Sequence, residues 1–284
     1  MNYDEQLNQL IKNALIEDIG DGDHSTLSSI GKGVKGKAVL KIKEDGILAG
    51  ILVAEKIFRF VQPDIIFKSF KNDGEPMKFG DIAFTVEADV QTILQTERLV
   101  LNSMQRMSGI ATLTKTYVDK LKGYKTKLLD TRKTTPNFRL LEKEAVRIGG
   151  GVNHRFGLYD MIMLKDNHID YCGGIEKAIN KAYDYVQTVK PGLKIEVETR
   201  SIDDVKKVMA IGKVDRIMLD NFTPQQIVEA VQIIGDLYET EASGGINLNN
   251  LEEYAATGVD YISSGAVIHQ ARSLDLSLKA IIVS

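Results

Sequence analysis

The sequence contains little cysteine and no long apolar run, and each shortage excludes a class of protein. Cys172 is the only cysteine in 284 residues, so an internal disulfide is excluded and a reducing compartment is favoured. The longest apolar run covers residues 47–54, whereas a membrane-spanning helix needs about 18 such residues. The N-terminal segment is acidic and amphipathic, unlike a signal peptide. We therefore expect a soluble, cytoplasmic protein.

The chain also lacks a strong charge of either sign. Its 36 lysines and arginines nearly balance 39 aspartates and glutamates, which gives a formal net charge of −3. No general attraction to nucleic acid or to an anionic membrane is expected, so any positive field must be local. The P-loop of nucleotidases, the usual spacing of zinc ligands and the GxSxG turn of serine hydrolases are absent as well.

The first third of the chain predicts an α+β unit with an antiparallel sheet. Apolar residues recur there with helical or alternating periods, and turn-forming residues separate the segments. On the last helix, Glu97, Arg98 and Arg106 have the pattern of a solvated face, and the apolar stripe is interrupted near Gly109. The predicted elements are a helix over 5–17, a loop over 18–33, a strand over 36–43, a helix over 50–61, strands over 65–70 and 82–90, and a helix over 91–121.

After Gly123, short apolar runs alternate with amphipathic helices, which predicts parallel strands joined by crossovers. An open doubly wound sheet and a barrel both fit this alternation. A polar residue ends nearly every run, and a barrel would bring those ends to one mouth, so we favour an incomplete α/β barrel of about six to seven strands. The runs cover 127–130, 161–164, 194–198, 215–219, 238–243 and 260–263, and their polar ends are Asp130, Lys165, Glu198, Asp220, Ser243 and Ser264.

These patterns divide the chain into three parts. Residues 1–110 form the first domain and residues 111–273 the barrel. Residues 274–284 are a C-terminal segment that returns to the first domain, because 274–282 alternate like a strand.

The segment 128–169 concentrates positive side chains near predicted strand ends. Clustered cations at strand ends indicate a cavity for a substrate with several negative charges. The residues are Arg132, Lys133, Arg139, Lys143, Arg147, His154, Arg155 and Lys165.

Two further features fit an anionic substrate. Small-residue loops over 243–245 and 264–266 follow the last two strands, where barrels often bind phosphate, although tight turns have the same composition. Glu198 and Asp220 end consecutive strands and could hold a divalent cation together with substrate oxygens. The alternative for these two carboxylates is a salt bridge to Arg200, Arg155 or Lys165.

Long motifs in this order resemble the quinolinate phosphoribosyltransferase family, also called nicotinate-nucleotide pyrophosphorylase (carboxylating). The sequence departs from the family pattern at Val152, where glutamine is usual, and in the loop over 23–26. The motifs are EDIGDGD (17–23), ILAG (47–50), ERLVLNSMQRMSGIAT (97–112), LLDTRKTTP (128–136), GGGVNHRFGLYD (149–160), IMLKDNHI (162–169), EVET (196–199), IMLDN (217–221), EASGGI (241–246) and ISSGA (262–266).

The resemblance implies a two-domain fold, an N-terminal α/β sandwich and an incomplete α/β barrel, assembled as a homodimer or as a hexamer of dimers. It implies transfer of phosphoribose from phosphoribosyl pyrophosphate to quinolinate with decarboxylation, a glycosyltransferase reaction of de novo NAD synthesis. Magnesium is the implied cofactor, and no organic cofactor is needed. The alternatives are a phosphoribosyltransferase of the same fold for another aromatic acid, and a non-catalytic paralogue that binds a ligand.

The resemblance also implies roles for individual residues. Arg98 would enter the site from the neighbouring subunit, and Lys133, Lys165, Glu198 and Asp220 would be catalytic. Arg139, Lys143 and Arg147 are expected to be solvated or structural. The substrate pocket would be lined by Thr131, Arg132, Lys133, His154, Arg155 and Lys165, with Glu198 and Asp220 on magnesium and the ribose hydroxyls. The 5′-phosphate would be bound by Ser243, Gly244, Gly245, Ser264, Gly265 and Ala266.

Overall fold

The structure, a computed structural model, describes residues 2–281, which cluster into two units. Within that range the first unit comprises 2–115, 134–150 and 268–281, and the second comprises 116–133 and 151–267. The domain boundaries proposed from the sequence stay a prediction.

Helices and strands alternate through most of the described chain. The helices are α1 (Tyr3–Ile19), α2 (His24–Ser29), α3 (Ile51–Val61), α4 (Val90–Lys120), α5 (Arg139–Ile148), α6 (Asp166–Cys172), α7 (Ile175–Thr188), α8 (Ile202–Ile211), α9 (Pro224–Ile234), α10 (Leu251–Ala255) and α11 (Ala266–His269). The strands are β1 (Lys35–Ile42), β2 (Gly46–Ile47), β3 (Ile66–Ser69), β4 (Pro76–Met77), β5 (Ile82–Asp89), β6 (Lys127–Leu129), β7 (Ile162–Leu164), β8 (Ile195–Thr199), β9 (Arg216–Asp220), β10 (Glu239–Ser243), β11 (Tyr261–Ser263) and β12 (Leu276–Ile281).

The first unit is built on an antiparallel sheet with the strand order β12-β1-β5-β3. The predicted inward residues of β1, Ala38, Leu40 and Ile42, are at most 1% exposed. Phe84 on β5 packs edge-to-face on Phe58 of α3, with ring centroids 6.1 Å apart. β12 pairs antiparallel with β1 and lies within the segment 274–282 that alternates like a strand; residue 282 lies outside the described residues.

Two expectations for the helices of the first unit were wrong. The predicted loop over 18–33 contains α2, because the Asp23 carboxylate caps the helix by accepting from the Thr26 N–H at 3.1 Å. α4 is not interrupted at Gly109. A Cβ at this glycine would lie 1.8 Å from the Arg272 carbonyl oxygen, so the glycine permits close packing rather than a break.

Arg106 does not belong to a solvated face, as its pattern had suggested. Its guanidinium lies 2.9 Å from Oε1 of Glu142, a carboxylate with no exposed surface. It also donates to the backbone carbonyls of Ile268 and Ala271. The ion pair therefore ties α4 to α5 and to the segment that precedes β12.

The second unit is built on a parallel sheet in the order β6-β11-β10-β9-β8-β7. All six predicted runs form strands, and the helices between them bury their apolar faces, as in α7. Within the described residues β6 and β7 are the sheet edges, and Val152 adds one parallel bridge to Leu129. The expected incomplete barrel is confirmed.

None of the described helices has both the length and the apolarity that membrane crossing requires.

Replacing Arg106 with alanine is expected to lower the free energy of unfolding by about 3–5 kcal/mol, because the buried Glu142 charge would lose its partner. Urea denaturation measures the change. Lys78→Ala is the control: Lys78 pairs with Asp45 at 2.8 Å on the surface, where such pairs contribute about 1 kcal/mol or less. Equal losses for the two variants would contradict a structural role for the Arg106 pair.

Candidate active site

A cavity of about 340 Å³ opens in the second unit at the carboxyl ends of the parallel strands. Barrel enzymes place their chemistry at this end of the sheet. The cavity brings together most of the cationic residues predicted from the sequence. Its lining is Asp130, Thr131, Arg132, Lys133, His154, Arg155, Met163, Lys165, Met218, Glu241, Ser243 and Ser263.

The cations of this cavity are held close to one another. Arg132 and Lys133 are exposed after β6, and the half-buried Arg155 donates to the Met161 carbonyl at 3.2 Å. Burial, helped by the charge of Arg132, lowers the pKa of Arg155. Lys165 follows β7, and about half of its side chain is exposed. Like charges repel at such proximity, so an anion that enters the cavity is attracted by all of them.

His154 lies in the cavity wall but points its ring nitrogens into the protein. Nε2 lies 2.9 Å from Glu196 and 3.1 Å from Glu241, two fully buried carboxylates. Nδ1 accepts the backbone N–H of Arg155 at 2.6 Å, and the His154 N–H donates to Asp130 at 2.9 Å. The direct contact with substrate predicted for the ring of His154 therefore stays a prediction.

The electrostatics of this group follow from its burial. Burial alone would lower the pKa of His154, but the two carboxylates outweigh it and raise that pKa to about 9. Burial and the negative charge of Glu241 raise the pKa of Glu196 to about 7. The raised pKa favours a second ring proton on Nδ1, but Nδ1 already accepts the Arg155 N–H at 2.6 Å, and two hydrogens cannot point into one space. The geometry therefore shows the neutral ring with its proton on Nε2, and we base the tautomer on this hydrogen bond.

Sequence reasoning missed Glu196 and Glu241 because neither ends a strand. Both lie inside short apolar runs, on β8 and β10, with no exposed surface. A glutamate within a strand of a parallel sheet is costly to bury unless it has a partner. That position was a usable signal, but the partner could not be read from the sequence.

Glu198 and Asp220 end neighbouring parallel strands, as predicted, but do not line the cavity. Glu198 is 7% exposed and has only long contacts, 3.5 Å to Lys165 Nζ and 3.4 Å to the Asp166 N–H. Asp220 accepts from the Asn221 side chain at 2.6 Å. Of the alternative salt-bridge partners, Lys165 does pair with Glu198, at 3.5 Å, whereas Arg200 pairs with Asp170 at 3.0 Å.

The loop after β10 is shaped by a residue that the sequence reading overlooked. Asn221 has a positive φ of 57° and donates its N–H to the Ser243 carbonyl at 2.8 Å. Gly244 has a φ of 93°, and a Cβ there would lie 2.2 Å from the Asn221 side-chain oxygen. Glycine is therefore required at this position. In the loop after β11, Ser264 donates to the Leu129 and Ile246 carbonyls.

The remaining predicted residues lie outside the cavity lining. Arg98 is exposed on α4 and has no hydrogen bond or ion pair to the described residues of the first unit. On α5, Arg147 pairs with Glu144, and Lys143 is 1% exposed, which fits a structural rather than a solvated role. The loop residues outside the lining are Gly244, Gly245, Ser264, Gly265 and Ala266.

The fold and the cavity define an α/β-barrel protein with cationic side chains at the carboxyl ends of its strands. Two family profiles match this chain: "Quinolinate phosphoribosyl transferase, N-terminal domain" over residues 23–108 and "Quinolinate phosphoribosyl transferase, C-terminal domain" over residues 110–279. The chain therefore belongs to the quinolinate phosphoribosyltransferase family, a family of pentosyltransferases, which confirms the resemblance noted from its motifs.

Individual relatives agree with this assignment. "Quinolinate phosphoribosyltransferase [decarboxylating] 1b" of Nicotiana tabacum is 43% identical, over 96% of this chain and 82% of that protein. The "Probable nicotinate-nucleotide pyrophosphorylase [carboxylating]" of Bacillus subtilis (strain 168) is 41% identical, over 96% and 93%. The crystal structure of NadC from Streptococcus pyogenes superimposes with a TM-score of 0.89, at 40% identity and 98% coverage of both chains.

The Gly244→Ala variant is expected to lose more stability than Gly235→Ala. Both residues have positive φ, 93° and 57°, but a Cβ at Gly235 would meet nothing within 4 Å. The control thus carries only the backbone cost of about 1–2 kcal/mol, while Gly244→Ala adds the collision with Asn221. Denaturation midpoints measure the difference. Asn221→Gly should restore part of the loss in Gly244→Ala, and no restoration would contradict the collision.

Proposed function

We propose that this chain transfers the phosphoribosyl group of phosphoribosyl pyrophosphate to quinolinate and decarboxylates the adduct. The products are nicotinate mononucleotide, pyrophosphate and carbon dioxide, a step of de novo NAD synthesis. Membership of the family supports the reaction class. The proposal rests on one observation: Arg132, Lys133, Arg155 and Lys165 line the same cavity. Their positive charges match the two carboxylates of quinolinate and the phosphates of the donor.

The cations have distinct tasks in this reaction. Arg132 and Arg155 present planar guanidinium groups, which can bind a carboxylate through two parallel hydrogen bonds. Lys133 and Lys165 act as compact charges that stabilise the departing pyrophosphate. As pyrophosphate leaves, the pyridine nitrogen attacks the ribose carbon, which has become electron-poor. The ring nitrogen is then positive and stabilises the electron pair that stays on the adjacent ring carbon when its carboxylate departs as carbon dioxide. That carbon then takes up a proton, and no organic cofactor is required.

The donor set at the ends of β8 and β9 fits magnesium. Magnesium prefers oxygen ligands and usually binds only one or two protein carboxylates. Glu198 and Asp220 would supply them, and the long contacts of Glu198 leave its oxygens available for a cation. When bound, magnesium supplies positive charge next to the pyrophosphate. The loops at 243–245 and 264–266 would receive the 5′-phosphate, supported by Ser243 in the cavity wall.

The proposal includes a homodimer in which Arg98 of one subunit completes the site of the other. The exposed position of Arg98 on α4 supports this arrangement, because its guanidinium is available to a partner. The proposed location is the cytoplasm, supported by a single free cysteine.

Purified protein is expected to form nicotinate mononucleotide and carbon dioxide from quinolinate, phosphoribosyl pyrophosphate and magnesium. Product chromatography and release of labelled carbon dioxide measure the reaction. Nicotinate replaces quinolinate in a parallel assay. Turnover of nicotinate alone would favour a phosphoribosyltransferase without decarboxylation, and ligand binding without turnover would favour a non-catalytic role.

Arg98→Ala and Lys165→Ala are each expected to abolish activity without unfolding the protein. Mixing the two inactive proteins should restore about one quarter of the wild-type activity, because half of the random dimers are mixed and each mixed dimer has one intact site of two. Arg59→Ala, at another exposed arginine, is the control and should stay active. No recovery in a verified mixed dimer would contradict a shared site.

A further inference from the structure

Two buried carboxylates lie at the wall of a cavity proposed to bind a dianion. Glu196 and Glu241 have no exposed surface, and Glu241 itself lines the cavity. Negative charge at this place weakens anion binding and is costly to desolvate. Neither carboxylate is explained by the roles proposed for the cationic residues, so their position calls for a separate function.

Both carboxylates converge on one atom, Nε2 of His154. The distances are 2.9 Å to Glu196 and 3.1 Å to Glu241. Nε2 of His154, both oxygens of Glu196 and Oε1 of Glu241 form no well-aligned hydrogen bond with the described residues. The ring and the two carboxylates are therefore held by close charge contact rather than by a directed hydrogen bond. Arg216 contacts the same oxygen of Glu241 as His154 does, at 3.3 Å, and so offsets part of the negative charge.

The opposite edge of the same ring holds the backbone next to the substrate cations. Nδ1 accepts the N–H of Arg155 at 2.6 Å. The preceding N–H, that of His154, is fixed by the buried Asp130 at 2.9 Å. The imidazole thus connects the two glutamates inside the barrel with the peptide group of Arg155, whose guanidinium lines the cavity.

This arrangement also bears on metal binding. His154, Glu196 and Glu241 offer ligand atoms within 4.8 Å of one another, close enough for a cation. However, an Nδ1 that accepts a hydrogen bond carries no proton, so the proton of the neutral ring is on Nε2. Nε2 then has no lone pair for a metal and is instead a donor that faces two acceptors.

We propose that Glu196 and Glu241 are positioning residues: they hold the His154 ring with its Nε2–H turned into the barrel, and the ring in turn fixes Arg155 through Nδ1. The inference deepens the proposed function, on which its kinetic part rests. His154 then acts through Arg155, and its ring nitrogens do not bind the substrate. This also removes His154 from the groups that could protonate the decarboxylated ring.

The first test needs no activity. Hydrogen exchange of the Arg155 amide, followed by NMR or by mass spectrometry of the surrounding peptide, is expected to be slow in the wild type. It should accelerate at least tenfold in Glu241→Gln and in Glu196→Gln. Glu142→Gln is the matched control, since Glu142 is an equally buried carboxylate that pairs with Arg106 in the first unit. Fast exchange of Arg155 in the wild type, or unchanged exchange in both glutamine variants, overturns the proposal.

The second test is kinetic and uses a double-mutant cycle. Glu241→Gln is expected to raise the KM for quinolinate about tenfold, with little change in kcat or in the KM for phosphoribosyl pyrophosphate. In an Arg155→Ala background, Glu241→Gln should hardly raise the KM for quinolinate further, because the arginine side chain that Glu241 helps to position is already missing. The proposal is overturned if the effects of Glu241→Gln and Arg155→Ala on the KM for quinolinate are fully additive in the double variant. It is also overturned if Glu241→Gln lowers kcat alone.

The two levels of inference fail separately. If quinolinate is not a substrate, the proposed function fails while the exchange of the Arg155 amide still decides the positioning role. If a glutamine variant does not fold, the wild-type exchange rate and the other glutamine variant decide it. Stoichiometric binding of manganese or zinc that requires His154, Glu196 and Glu241 would show a metal site instead and would overturn the proposal.

Discussion

The parallel alignment of six strands is the constraint on which the rest of the second unit depends. Parallel strands end at the same edge, so residues far apart in sequence become neighbours without any direct attraction between them. The register pairs Ser243 with Asp220 and Glu198 with Met218, which brings both carboxylates and one glycine loop to one rim. Positive side chains that would repel one another in a free peptide are held there by the sheet.

Much of this arrangement could be predicted because it depends on local patterns. Each of the six strand predictions is confirmed to within one or two residues, and the helix stripes between them are buried as expected. The cationic residues that follow β6 and β7 were also found by position, since a charge directly after an apolar run has to lie at the end of a strand. Motif resemblance then supplied the family, which periodicity alone does not.

What could not be predicted depends on partners distant in sequence. Arg106 looked solvated because its pattern on α4 gives no sign of Glu142, a buried carboxylate on α5. Gly109 looked like a helix break because the carbonyl of Arg272 that packs on it lies more than 160 residues later. Glu196 and Glu241 were missed for the same reason. The role of a glutamate inside a strand can be inferred only once its contact with the His154 imidazole is known.

The pairing of β12 with β1 has a consequence for how the chain acquires its structure during synthesis. Leu40 of β1 is aligned with Leu278, so one edge of the first sheet is filled by residues that leave the ribosome more than 230 positions later. Until then β1 exposes an unpaired edge, which is the kind of surface that recruits other strands. The barrel strands, by contrast, are all synthesised before β12. The sheet of the first unit is therefore completed only after the barrel strands have been synthesised, and the edge of β1 stays open until then.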